Sequence, residues 1–174
     1  MILDITDDYR YVLLTASLIC FHITITGFIA GGKRSKAFSK DFMEENFKTE
    51  HERFFPGQAV PKGGYPDMGN GRYSAKLSYK EWFEFNNLQR IHYNYLESVA
   101  CIIIWLLIGG LAPNFTWAAV GLGGANLVGR VIYHVGYSMK GPKGRVAGFI
   151  IVFLTSFALF IISILSPLRL LNYF

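Results

Sequence analysis

The stretch FNNLQRIHYNYLESVACIIIWLLIGGLA, residues 85–112, changes character halfway along. Its second half is hydrocarbon, as in a membrane-spanning helix, but its first half carries four polar groups directly beside that hydrocarbon: Arg90, His92, Asn94 and Glu97. Ionisable groups are rare within spans because inserting one at mid-helix costs about 2.5–3.5 kcal/mol. The stretch therefore predicts a membrane helix with a polar site at its N-terminal end.

The composition of the whole chain is that of a membrane protein. Of the 174 residues, 52% are hydrophobic, against about 45–50% in ordinary soluble domains, and the mean hydropathy is +0.30. Apolar residues cluster at 11–29, 99–112, 115–128 and 146–165. Because a spanning helix needs about 20 residues, the middle two clusters must recruit the polar turns at 90–98 and 129–137. We predict an all-α integral membrane protein, a four-helix bundle of four transmembrane helices running up-down-up-down.

The charge distribution predicts which loops share one side of the membrane. Residues 31–90 carry eleven of the seventeen Lys and Arg residues, and residues 130–145 carry four. By the positive-inside rule, loops 31–90 and 138–145 lie on the cytosolic or equivalent side, with both termini opposite. The net charge of +5 is explained by anionic lipid, so we predict no nucleic-acid partner. The membrane itself stays open between endoplasmic reticulum and mitochondrion.

A long polar insert separates the first two predicted spans. Residues 40–80 mix charge with Gly and Pro, which predicts an inserted loop within a single membrane domain of residues 1–174. Loops longer than about 12–15 residues commonly bind something or are disordered. As an alternative, residues 41–55 fit a short amphipathic helix on the membrane surface, with Phe42, Phe47 and Phe54 turned inward.

Three of the polar residues before the second cluster lie on one helix face. Arg90, Asn94 and Glu97 are spaced i, i+4, i+7, and residues with that spacing share a face. His92 points roughly the opposite way, which suits contact with another subunit. A snorkelling arginine paired with a glutamate would explain one such residue, but a whole stripe favours a site.

The third predicted span repeats this arrangement at its other end. Arg130, Tyr133 and Tyr137 are spaced i, i+3, i+7, and in the predicted topology they lie on the same side of the membrane as the first stripe. The two stripes can therefore meet around a polar ligand. Arg34 and Arg90 could bind the carboxylates of this ligand, and Glu97 could bind its ammonium group. A zwitterionic peptide has this pattern, and so do some other amphiphilic anions.

Metal chemistry is not indicated. The sequence has no His, Cys or carboxylate spacing typical of a metal site, so we predict no metal cofactor.

The motifs that carry the two stripes resemble those of a known family. The first is QRIHYNYLE, residues 89–97, the second is GRVIYHVGY, residues 129–137, and YRYVLLTA, residues 9–16, accompanies them in the first span. Together they resemble the membrane-associated eicosanoid and glutathione metabolism (MAPEG) family, most closely the type 3 microsomal glutathione transferases. The resemblance runs from about residue 9 to residue 165 except in the insert.

The resemblance implies a homotrimer that binds glutathione between neighbouring subunits near the cytosolic face. The matching glutathione-binding residues, with His92 contributed from the adjacent subunit, are Arg34, Arg90, His92, Asn94, Glu97, Tyr133 and Tyr137. Lys36 is a rival to Arg34 as the residue that reaches a glutathione carboxylate. Arg145 matches the catalytic arginine, whose charge favours the thiolate form of the thiol.

The implied enzyme is a glutathione transferase or glutathione peroxidase of lipid metabolism. Glutathione would serve as its co-substrate, and a lipophilic electrophile or a lipid hydroperoxide would arrive from the bilayer. The family usually has a proline at the position of Ala100, and several members have a tyrosine that contacts glutathione at the position of Ser98.

These departures, together with the insert, leave open two other hypotheses. One is a catalytically silent family member that serves as a structural subunit of a larger, mitochondrial membrane complex, with other membrane subunits docking on residues 40–80. The other is a lipid- or porphyrin-carrying membrane protein that uses the same pocket.

Overall fold

The computed structural model describes residues 7–171, and these contain helices and turns but no β-strand. The helices are α1 (Tyr9–Ala37), α2 (Lys40–Phe54), α3 (Tyr79–Gly109), α4 (Pro113–Lys140) and α5 (Val146–Leu170). All except α2 are long and apolar enough to cross a membrane. This confirms the predicted all-α four-helix membrane fold.

The described residues form two compact units. Residues 7–25 and 93–171 form the first unit, and residues 26–92 form the second. In the first unit, parts of α1 and α3 join α4 and α5 around a core of small and aliphatic side chains. Its fully buried members are Val12, Ile19, Ile102, Leu106, Ala119 and Leu159. These residues come from all four long helices, so the first unit contains the core of the bundle.

A glycine brings the start of α5 against the end of α4. A Cβ atom at Gly148 would lie 2.2 Å from the backbone nitrogen of Tyr133, which is closer than van der Waals contact allows. The connection is also short, since α4 ends at Lys140 and α5 begins at Val146. The two helices therefore lie close together at the level of the second polar stripe.

The first part of the predicted inserted loop is the helix α2, in agreement with the alternative of an amphipathic helix. Met43 and Phe47 are buried in a small apolar core of the second unit, with Phe38 and Phe85, and Phe42 is partly buried. Phe54 is 64% exposed and does not join this core, so its inward orientation on the membrane surface stays a prediction.

Asp67 orders the remainder of the insert. Its carboxylate accepts hydrogen bonds from the backbone N–H groups of Gly69 (2.7 Å), Gly71 (2.9 Å) and Ser74 (2.7 Å). Burial alone would raise the pKa of Asp67, but these hydrogen bonds outweigh it and hold the pKa below its usual value. Gly69 adopts a φ of +106°, which favours glycine, and its carbonyl accepts a hydrogen bond from the Trp82 indole.

Candidate functional site

Arg130 joins α4 to α3 at the centre of the predicted site. It is 4% exposed, and its guanidinium donates hydrogen bonds to Oδ1 of Asn94 (3.0 Å) and Oγ of Ser98 (2.5 Å). Its Cζ atom lies 4.5 Å from the centroid of the Tyr95 ring. Residues 94, 95 and 98 lie on one turn of α3, so a single arginine fixes that turn. The first and second stripes therefore meet through Asn94 and Arg130.

The two tyrosines of the second stripe form a buried pair. Tyr133 and Tyr137 are 2% and 4% exposed, and their ring centroids are 5.7 Å apart. Cζ of Arg145, just before α5, lies 5.7 Å from the Tyr137 ring centroid. The α4–α5 connection therefore places the predicted catalytic arginine against one of the predicted glutathione-binding tyrosines.

A groove of about 590 Å³ opens beside Arg130, lined by α3, α4 and α5 of the first unit. At one end its lining is polar and consists of Asn94, Glu97, Ser98 and Arg130. The rest is mainly apolar, with an aromatic wall of Trp105, Phe149, Phe153, Phe157 and Phe160. Small-molecule sites commonly measure about 300–1,000 Å³ and combine apolar walls with a few polar groups. The groove can accommodate an amphiphilic ligand or a polar molecule beside an apolar one.

Arg34 lies in the second unit and is held by the insert. Its guanidinium donates a hydrogen bond to the carbonyl oxygen of Gly63 (3.1 Å). Its Cζ atom lies 4.4 Å from the Tyr65 ring centroid and 5.2 Å from that of Phe85. Only 4% of Arg34 is exposed, whereas Lys36 is exposed. Arg34 therefore contacts the insert in the structure, and its assignment to a glutathione carboxylate stays a prediction.

The other two predicted residues of the second unit are on α3. Arg90 is exposed, and His92 is half-buried. Nδ1 of His92 lies 2.9 Å from Oγ1 of Thr26, and its ring contacts the position of Gly27, where a Cβ atom would lie 3.1 Å from Cε1. These contacts orient His92 toward α1 within the second unit. Its predicted role at a neighbouring subunit stays a prediction.

Sequence reasoning missed most of the groove. Ser98 was interpreted as a departure from the family, yet it accepts a hydrogen bond from Arg130. The aromatic wall on α5 had a detectable signal, because residues 149, 153, 157 and 160 are spaced i, i+4, i+8, i+11 and share a helix face. Tyr95 had no such signal, since an aromatic residue in a span is ordinarily lipid-facing or core.

The sequence comparison identifies the family. The sequence model of the MAPEG family matches residues 11–165 of this chain. That match covers most of the chain, and the protein belongs to the MAPEG family. Its members use glutathione, and they include glutathione transferases and peroxidases. With its four apolar helices, the chain is thus an integral membrane protein of a family related to glutathione and eicosanoid metabolism.

Proposed function

We propose that this protein binds glutathione at the polar end of the groove and uses its thiol against a lipophilic partner held along the aromatic wall. One observation carries the proposal: the groove joins Asn94, Glu97 and Arg130 to a mainly apolar wall within one unit. A peptide with two carboxylates and an ammonium group suits the polar end, and a lipid-derived electrophile suits the wall. This arrangement fits the type 3 microsomal glutathione transferases that the sequence resembles.

The chemistry begins with the glutathione thiol. Glu97 binds the ammonium group, the Asn94 amide binds the peptide, and Tyr133 and Tyr137 contribute hydroxyl groups. The guanidinium of Arg145 stabilises the thiolate electrostatically, as basic groups do for protein thiols. The thiolate then attacks an electrophilic carbon, forming a C–S bond and expelling the leaving group or opening an epoxide.

The peroxidase reaction uses the same thiolate. The sulfur attacks the terminal oxygen of a hydroperoxide, the O–O bond breaks, and the lipid leaves as an alcohol after protonation. The sulfenic form of glutathione then reacts with a second glutathione to give glutathione disulfide and water. A cation near the sulfur favours the thiolate that both reactions use, and we assign this role to Arg145.

We extend the proposal to assembly and orientation. The protein acts as a homotrimer in the endoplasmic reticulum or a mitochondrial membrane, with loops 31–90 and 138–145 on the cytosolic or equivalent side. Arg34 and Arg90 bind glutathione carboxylates, and His92 contributes from the neighbouring subunit. These assignments rest on the family motifs and on the count of basic residues in the loops.

The direct test is activity of the purified protein in lipid nanodiscs. We expect turnover with glutathione and either an aryl halide or an alkyl hydroperoxide, and a thiolate absorbance band when glutathione binds at neutral pH. Arg145→Ala should remove the thiolate band and lower kcat while leaving glutathione affinity largely unchanged. Lys143→Ala is the matched control, because Lys143 is an exposed cation of the same connection. Full turnover and an intact thiolate band in Arg145→Ala would exclude the proposed role of Arg145.

A second candidate function is favoured by the contacts of Arg34. The insert supplies Gly63 and Tyr65 to this arginine, so a residue predicted to bind glutathione is engaged by the chain itself. A catalytically silent subunit of a larger, mitochondrial membrane assembly would need no free arginine there. Copurification of unrelated subunits, without a thiolate band in the glutathione-treated protein, would support this function over the enzyme.

A further inference from the structure

Three polar side chains meet in the apolar middle of the first unit. Nδ2 of Asn126, on α4, lies 2.9 Å from Oγ1 of Thr155 and 3.0 Å from Oγ of Ser156, both on α5. The carbonyl oxygen of Val152, which can only accept, lies 3.3 Å from the same nitrogen and fixes the orientation of the amide. Asn126 is 0% exposed. A buried polar cluster between two membrane-spanning helices is expected to have either a structural role or a role in binding.

Helix packing accounts for only part of this cluster. Polar side chains often join membrane helices, and Thr155 is buried between α4 and α5 in that way. Ser156, however, lines the groove, where the wall is otherwise aromatic and aliphatic. In addition, Oδ1 of Asn126 is buried without a hydrogen-bond partner among the residues that the structure describes. An unpaired buried acceptor costs about 1–3 kcal/mol, so the cluster is more polar than packing requires.

The hydrogen bonds of Ser156 define what it can still bind. A serine hydroxyl has one donor and two acceptor sites. The donor is used on the carbonyl oxygen of Val152 at 2.6 Å, and one acceptor site receives the Asn126 amide. Within the described chain, the capacity that remains at Ser156 is that of an acceptor, and Oδ1 of Asn126 is an acceptor too. A complementary ligand group must therefore donate a hydrogen bond.

We propose that Ser156, held by Asn126, is a specificity-determining polar subsite that accepts a hydrogen bond from a hydroxyl group of the lipophilic partner. The subsite rests on the proposed function of the groove. A ketone or an ether has no hydrogen to donate, so the subsite discriminates against them. Ser156 contacts Asn126, which lies one turn of α4, about 6 Å, from Arg130 at the polar end. The subsite therefore holds a substituent of the lipophilic partner other than the atom that reacts with the thiolate.

The test compares ligands that differ only in one oxygen substituent. The probes are hydroxyoctadecanoic acids with the hydroxyl at successive positions, the unsubstituted acid, and the methyl ether of the tightest binder. Affinity for the full-length protein in nanodiscs is measured by competition at a fixed lipid content. We expect one range of hydroxyl positions to bind about fivefold more tightly than the unsubstituted acid, the scale of one net hydrogen bond. The methyl ether should lose this gain.

Three variants separate a subsite from a packing role. Ser156→Ala should abolish the gain, and Ser156→Thr, which keeps the hydroxyl, should preserve it. Thr155→Val is the matched control, since it removes the neighbouring hydroxyl that contacts Asn126 away from the groove. It should lower the thermal stability and leave the hydroxyl preference intact. A thermal melt of each variant checks that it is folded.

The possible outcomes distinguish failure of the Ser156 subsite from failure of the function proposed for the groove. Equal affinities across the series, or a gain that survives in Ser156→Ala, would overturn the subsite while lipid binding in the groove stands. If no octadecanoic acid binds, the subsite and the lipophilic role of the groove are both wrong. Glutathione titration of the same samples reports on the polar end independently.

Discussion

The guanidinium of Arg130 donates a hydrogen bond to Oδ1 of Asn94 across 3.0 Å, from α4 to α3. This hydrogen bond turns the amide oxygen toward Arg130, so the Nδ2 group is the donor that Asn94 offers to a ligand. Asn94 therefore acts as a hydrogen-bond donor at the polar end of the groove. Arg130 orients it, although the sequence indicated only that both residues belong to polar stripes.

Asn94→Asp tests this orientation. The carboxylate keeps the acceptor for Arg130 and forms a charged pair with it, so thermal stability should be unchanged or higher. The variant loses the N–H donor and adds a negative charge, so its glutathione affinity should fall about fivefold or more, the scale of one net hydrogen bond. Isothermal titration and a thermal melt measure the two quantities. Wild-type affinity in Asn94→Asp would show that the amide donor does not contact the ligand.

Arg34→Ala tests whether this arginine holds the insert. Loss of its hydrogen bond to Gly63 and of its contact with Tyr65 should expose residues 62–71 to proteases and to hydrogen exchange. The local stability should fall by about 1–3 kcal/mol, the cost of leaving buried polar groups unpaired. Lys36→Ala is the matched control, since Lys36 is exposed, and it should leave exchange unchanged. If both variants exchange like the wild type, Arg34 does not anchor the insert.

Asp67 should make the second unit sensitive to acid. Its folded-state pKa is lowered, so the carboxylate stabilises the fold above its unfolded pKa of about 3.9. That stabilisation is lost as the pH falls through the lower, folded-state pKa. We expect the protection of residues 67–74 against hydrogen exchange, relative to the intrinsic exchange rate at each pH, to fall below about pH 4. In Asp67→Asn the exchange should be faster at neutral pH and show little further acid dependence. If the pH dependence of hydrogen exchange in Asp67→Asn matched that of the wild type, the proposed role of Asp67 would be contradicted.

Impermeant maleimide labelling tests the topology. In a background without Cys20 and Cys101, cysteines at exposed Lys76 and Lys143 should react from one side of a sealed vesicle. A cysteine at exposed Asn114, in the first turn of α4, should react from the other side. Gly64 is not a suitable labelling position in the insert, because its φ is +68° and the Cβ atom of a cysteine there would lie 2.3 Å from the Phe38 ring. Labelling of residues 76 and 143 from opposite sides would end the four-span topology.

The fold followed from the sequence because its signals are local and additive. Apolar clusters of spanning length predict membrane helices, and the four helices are where those clusters lie. The polar turn at residues 90–98 lies on α3 and supplies Asn94, Glu97 and Ser98 to the groove. Ala100, where the family usually has a proline, accords with α3 running without interruption from Tyr79 to Gly109, since proline removes a helical hydrogen bond.

The groove and the contacts of the insert could not be predicted in the same way. That Arg130 would bind Asn94, or that Tyr65 would cover Arg34, depends on which helices and loops meet in space. Phe54 shows the same limit, because its spacing from Phe47 predicts a shared helix face, yet Phe54 lies outside the core that buries Phe47. Spacing along one helix predicts a shared face, but the partner of that face comes from elsewhere in the chain.

Glutathione binding at the polar end of the groove is the central claim, and isothermal titration of the purified protein with glutathione measures it most directly. The account predicts saturable binding that weakens by about 1.5–3 kcal/mol in Glu97→Ala, the range for hydrogen bonds to charged groups. Lys143→Ala, the exposed control, should bind like the wild type. A titration with no saturable binding, or equal affinity in the wild type and Glu97→Ala, would contradict the account.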